Sequence, residues 1–143
     1  MKKADISKRE LNIDFRPLPI RKEYGSIINN IYYVVENNES SAMDNFRKLT
    51  QNQKDFTKDL ISRMATNKDF KSHYINHHLK GYNYGEITPS GYRFFFFSKF
   101  KNIIFFDYVE KKKNRLKDSV YKNINDKKEK YEREFEKYLQ RNR

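Results

Sequence analysis

The run "YRFFFFSKF", followed at once by "NIIFFDYVE" (residues 92–100 and 102–110), constrains this chain more than any other feature. Each run is apolar at successive positions, so neither alternates as a half-buried strand does. Phenylalanine, isoleucine and tyrosine suit a pleated backbone. A short polar turn near Lys99–Asn102 separates the two runs. Together they read as an antiparallel hairpin of two central strands covered on both faces.

The flanking segments supply further elements. In "LKGYNYGEI" the residues Tyr82, Tyr84 and Glu86 alternate after Gly81, which reads as another strand, and "TPSG" follows as a turn. Between residues 40 and 67, Met43, Phe46, Leu49, Phe56, Leu60 and Met64 recur at helical intervals behind Ser40 or Ser41 as N-cap. "TQNQ" divides that run into two helices. Leu116, Val120, Ile124, Tyr131, Phe135 and Tyr138 form a last helical stripe with Asp118 as N-cap. Two prolines two apart make "NIDFRPLPIRKEY" extended and irregular. "SIINNIYYVVEN" reads as a strand centred on Ile31–Val35 or as a short helix from Tyr24. The expected fold is α+β, with a small antiparallel β-sheet, two N-terminal helices and a C-terminal helix. Residues 1–38 are expected as an N-terminal extension that can supply a first strand, and residues 39–143 as the main domain.

Charge narrows the function. Lys plus Arg number 31 against 19 Asp plus Glu, a net charge of +12. That balance favours an anionic partner: nucleic acid first, then an acidic protein or an anionic surface. There is no cysteine, which removes disulfides, thiolate nucleophiles and Cys-ligated zinc. No apolar run approaches the roughly 20 residues of a membrane span. The first residues lack the apolar core of a signal peptide, so a cytoplasmic protein is expected. P-loop, dinucleotide-fold and nucleophile-elbow patterns are missing. His73 and His77 are four apart, as a helical metal pair requires. No carboxylate motif follows them, and Gly81 signals departure from a helix, so no metal or small-molecule cofactor is assigned. His77 and His78 are candidates for proton transfer or RNA contact.

The strongest constellation is basic. Arg93 opens the second expected strand, Lys80 precedes the first, and Lys111, Lys112, Lys113 and Arg115 follow the third. A hairpin brings Arg93 and the lysine cluster to one end. An arginine facing lysines suits a phosphate undergoing displacement, since the guanidinium forks onto two oxygens and fixed cations stabilise developing charge. Tyr92, Tyr108 and Tyr121 are candidates for base stacking or proton transfer. Equally open is a structural pairing of Arg93 with Glu86 or Asp107 across the sheet.

In this order, "LKGYNYGEI", "GYRFFFF" and "NIIFFDYVEKKKNRLKD" resemble the RelE/ParE superfamily of bacterial toxins, and within it the RelE- and HigB-like mRNA interferases. The likeness covers roughly residues 40–140. It departs at Thr88, where many relatives carry arginine, and in the long charged final helix. The resemblance implies a toxin of a toxin–antitoxin pair: a metal-independent endoribonuclease that cuts mRNA through 2′-hydroxyl attack, on the ribosome in RelE-like members. Its implied partners are a cognate antitoxin, mRNA and the ribosome. By position, Arg93 would bind phosphate, and Lys111 or Lys112 would stabilise charge or act as base, with Tyr108 in the catalytic set. Lys80, Lys113, Arg115, Tyr92 and His78 would contact RNA. Two other readings share these features: a non-catalytic basic module for RNA or protein, and a ParE-like gyrase inhibitor.

Overall fold

The computed structural model describes residues 12–20, 24–67, 70–89, 91–110 and 115–142. Its strands are β1 (Ile13–Pro17), β2 (Asn30–Glu36), β3 (Ile75–Asn76), β4 (Gly85–Ile87), β5 (Tyr92–Lys99) and β6 (Asn102–Glu110). The helices are α1 (Ser41–Phe46), α2 (Gln51–Thr66) and α3 (Asp118–Arg141). The six strands form one sheet in the order β1-β2-β6-β5-β4-β3.

β5 and β6 lie at its centre, and alternation along them divides the aromatic mass between two cores. Phe94, Phe96, Ile103 and Phe105 pack with Leu60, Ile61 and Met64 of α2 and Ala42 of α1. Phe95, Phe97, Ile104 and Phe106 pack with Tyr121, Ile124, Tyr131 and Phe135 of α3. Four consecutive phenylalanines are thus what a strand needs when helices cover both its faces.

The expected α+β class holds, but the sheet is larger than a small antiparallel one. β2 runs parallel to β6, with Asn30 opposite Asn102 and Tyr33 opposite Phe105, so the sheet is mixed. Ile31–Val35 is a strand, not a helix, and β1 pairs with it antiparallel. A boundary at residue 38 would therefore cut through the sheet. The prolines two apart also have a regular explanation. Leu18 N–H donates to the Ile31 carbonyl at 2.9 Å, which continues the β1–β2 register and places even-numbered N–H groups toward β2. Pro17 and Pro19 then fall where a strand N–H would point outward, and proline has none. The Phe15 N–H is taken by its own neighbour, Asp14 Oδ1, at 2.8 Å. The outer edge of β1 is thereby blunted against pairing with another chain.

Local signals set the helix ends. The Ser40 hydroxyl accepts from Met43 N–H, and Thr50 with Gln53 makes a reciprocal capping box at α2, which explains the break at "TQNQ". At α3 the N-cap is Lys117; Asp118 is the first helical residue, where its charge suits the helix dipole. Strand β4 begins only at Gly85. Tyr82 and Tyr84 precede it in a turn closed by Leu79 N–H to Tyr84 O (2.9 Å), with Gly81 at φ +86°. A Cβ on Gly85 would sit 2.4 Å from Asn76 O and 2.8 Å from His77 O, so the backbone of the β3 strand approaches there only because this residue is glycine.

Two tight turns use left-handed backbone at consecutive residues. After β2 they are Asn37 and Asn38, which tolerate it; between β5 and β6 they are Phe100 and Lys101, at φ +49° and +62°. The Asn102 amide braces the second turn by donating to the Lys99 and Phe100 carbonyls, each at 3.0 Å. Replacing Phe100-Lys101 by Asn-Gly is expected to raise unfolding free energy by about 1–2 kcal/mol, because a left-handed L-residue costs about that much. Urea denaturation of the double variant checks it.

Acid lability is expected from Glu36. Burial pushes its carboxyl up, but hydrogen bonds from Tyr131 Oη (2.6 Å) and Lys130 Nζ (3.2 Å), with the charges of Lys130 and Lys127, bring it below its ordinary value. A depressed folded pKa gives stability that is present above the unfolded value, near 4.5, and is lost as pH falls through the folded one. Glu36→Gln should therefore flatten the acid limb of stability against pH in thermal unfolding series.

Candidate nucleic-acid interface

β5 and β6 place Arg93 opposite Val109 and Tyr92 opposite Glu110, so the start of one strand adjoins the end of the other. Arg93 points to the α3 face, where its Nη1 lies 3.2 and 3.1 Å from the two oxygens of Glu86 and 3.4 Å from Tyr121 Oη. Glu86 is buried and Arg93 mostly so, with side chains 9% and 13% exposed. Desolvation pushes the Glu86 carboxyl up, and the charge and hydrogen bond of Arg93, with the charge of Arg115, partly offset it. The guanidinium is thus committed to an interior carboxylate, one of the two pairings open from sequence. Asp107, the other, accepts from Ser41 Oγ (2.9 Å) and Lys127 Nζ (3.0 Å) instead. It follows a β-bulge that leaves Phe106 unopposed between Phe105 and Asp107.

Tyr92 and Tyr108 do not join Arg93. Both lie on the α1/α2 side, 6.3 Å apart between ring centroids, packed on Phe94. Burial pushes both phenols up, away from the range of a neutral-pH base. For Tyr92 the nearby Thr57 hydroxyl partly offsets that push. Tyr108 does not share a face with Arg93 as the catalytic set requires, because neighbouring positions of a strand face opposite ways and Arg93 is opposite Val109. Lys111, Lys112 and Lys113 lie outside the described residues.

Of the RNA-contact candidates, Tyr92 is on the α1/α2 side and Lys113 lies outside the described residues, while Arg115, His78 and Lys80 lie around a tyrosine cluster at the start of α3. Tyr121 Oη accepts from Arg93 and from Leu116 N–H (3.4 Å), while Tyr84 Oη donates to the Tyr121 carbonyl (2.8 Å). Tyr82 stacks on Tyr121 with centroids 6.3 Å apart. Arg115 lies over the Tyr121 ring, its guanidinium carbon 4.5 Å from the centroid, with its side chain 57% exposed. Its ion pair to Asp118 (3.1 Å) is an exposed one, which contributes little and yields to competitors. His78 Nδ1 lies 3.1 Å from the Tyr82 carbonyl; a carbonyl only accepts, so that nitrogen donates. Lys80 is exposed in the same turn. Tyr82 is the member that sequence reading missed as a site residue. Its signal was the "KGYNYG" spacing, two glycines bracketing a turn rather than a strand.

His73 and His77 are not on a helix: β3 lies between them, and His77 Nε2 contacts the Phe70 carbonyl at 3.2 Å. No helix among the described residues is long and apolar enough to cross a membrane.

Comparison with protein-family models, with curated proteins and with solved structures gives no match in any of the three. The functional reading therefore stands on the residues around Tyr121.

Proposed function

We propose that the protein binds single-stranded RNA at the surface formed by Arg115, Tyr82, Lys80 and His78. The observation that carries this is the mounting of Arg115 on Tyr121 beside Tyr82, a half-exposed guanidinium and an aromatic ring presented together in a chain of net charge +12. Cations that track the backbone and rings on which bases stack are the two requirements of strand binding without a groove. Arg93 in this reading is a positioning residue: it fixes Tyr121 from beneath and holds the start of α3. This favours the non-catalytic member of the alternatives raised by the RelE/ParE resemblance.

One observation favours the endoribonuclease toxin as a second reading, with mRNA, ribosome and antitoxin as partners. Arg93 lies directly under the same cluster, so a scissile phosphate held by Arg115 would be a competitor for Glu86. Two measurements separate the readings. In the first, RNA affinity is measured by fluorescence anisotropy across a salt series. Arg115→Ala with Lys80→Ala is expected to weaken binding at least about tenfold and to lower the salt slope by roughly 0.7 per lost phosphate contact. Unchanged affinity would sink the RNA reading. In the second, mRNA 5′ ends are mapped after expression in bacteria. New ends in wild type that vanish in folded Arg115→Ala select the toxin, whereas DNA damage without new ends selects gyrase.

A further inference from the structure

We propose that the opposite end of the sheet, around the β5–β6 turn, docks a net-acidic protein segment carrying two or three apolar anchor residues. This inference is independent of the RNA reading, because β5 separates the turn from Arg93 along its whole length. The large hydrophobic side chains left exposed among the described residues are Ile27 (41%), Ile28 (40%) and Phe100 (75%). They are far apart in sequence but share one end of the sheet. The parallel register sets the start of β2 beside the start of β6, and Asn30 N–H donates to Lys101 O at 3.0 Å. Depressions flank the turn on both sides. One, of about 310 Å³, runs from Pro19 past Ile27 to Tyr32, and the other, of about 580 Å³, lies between Phe100 and Leu139. Tyr32, which lines the first, has its ring 5.9 Å from that of Tyr138, the residue before Leu139 of the second.

Core packing does not account for Phe100, whose ring has the Lys99 ammonium 5.4 Å from its centroid. Its ring is mostly in water and its backbone is in the left-handed region, where the chain's other such turn uses asparagine. An aromatic held against backbone preference and away from the core is the signature of an interface anchor. Charge selects the occupant. Lys101, next to Phe100 in the turn, and Arg141, the last residue of α3, have no carboxylate partner among the described residues, while Glu136, the charged residue lining the second depression, is tied to Lys99. The uncommitted charge at the rim is positive, so an acidic segment is complementary to it. A second copy would bring another +12 against it. RNA is the poorer fit, since Ile27, Ile28 and Leu139 offer aliphatic surface, which suits side chains rather than bases.

The test is selection of short random peptides on the immobilised full-length protein, followed by affinity measurement in solution. Selected peptides are expected to be net acidic with two or three apolar residues. Their binding should weaken at least tenfold in Phe100→Ser and in Ile27→Ser with Ile28→Ser, and should also be lost in Phe100→Asn with Lys101→Gly, whose turn is relaxed. Arg115→Ala with Lys80→Ala should leave it unchanged, which keeps this test separate from the RNA one. Peptides without acidic bias, affinity indifferent to Phe100, or displacement by single-stranded RNA would overturn the proposal. So would a dimer in light scattering that Phe100→Ser dissociates, since the occupant would then be a second copy.

Discussion

Arg93→Ala is expected to lower unfolding free energy by about 3–5 kcal/mol, because it leaves a carboxylate buried without its cation. Glu86 shows why. Burial already pushes its carboxyl above the ordinary value with Arg93 in place, so removing the guanidinium raises it further. The sign of the pH dependence follows. With the folded pKa above the unfolded one, the folded state binds the proton more readily, so stability falls as pH rises through the folded pKa. The deficit of Arg93→Ala relative to wild type should therefore be greatest at neutral pH and shrink in mild acid, where Glu86 takes up a proton. Adding Glu86→Gln to Arg93→Ala should recover much of the loss, since an amide leaves no unpaired charge. Urea unfolding of the single and double variants at neutral and mildly acid pH reads both effects. A loss below about 1 kcal/mol that does not change with pH would mean that the pair is not buried in solution.

The same variants bear on the second functional reading. If phosphate competes with Glu86 for Arg93, Glu86→Gln frees the guanidinium and RNA binding strengthens. If Arg93 only positions Tyr121, affinity stays level while stability changes.

What the sequence disclosed follows the range of the interaction. The two central strands, the hairpin turn, the break between α1 and α2 and the apolar stripe of α3 were all legible, because each depends on neighbours within a few positions. Face assignment within β5 was legible too, since parity alone puts Tyr92 opposite to Arg93. Placing Tyr108 in a catalytic set with Arg93 neglected that parity, since Arg93 is opposite Val109 and Tyr108 faces the other way. The parallel pairing of β2 with β6 was not legible: it joins Asn30 to Asn102 across two helices and three strands, and no local pattern records it. The prolines at 17 and 19 carried more than their composition suggested. A spacing of two is the repeat of an edge strand whose outward positions lack N–H groups, a reading available only once an inward partner for Leu18 is known. The Arg115 platform was hidden for a similar reason, since Tyr82 and Tyr121 meet only after α3 has folded back over the sheet.

That folding back makes α3 a clamp, and its decisive residue is Phe135. The ring is fully buried, with centroids 5.0 Å from Phe15 on β1, 5.5 Å from Tyr32 on β2 and 6.4 Å from Phe97 on β5. One side chain thus ties the edge of the sheet to its centre. Phe135→Ala should cost about 3–5 kcal/mol, the lost transfer energy plus a cavity that three strands and a helix cannot close. Phe100→Ala removes the same atoms from a ring that is 75% exposed and should leave stability within about 0.5 kcal/mol. The larger loss should also be unevenly distributed. β1 has one neighbouring strand, and its buried side chains Ile13 and Phe15 belong to the core that Phe135 shares. In Phe135→Ala, hydrogen exchange at the inward-facing amides of Asp14 and Arg16 should accelerate more than at the centre of β5 and β6, because β1 can then open by itself. Equal acceleration across all strands would show that Phe135 supports the sheet as a whole rather than fastening its edge.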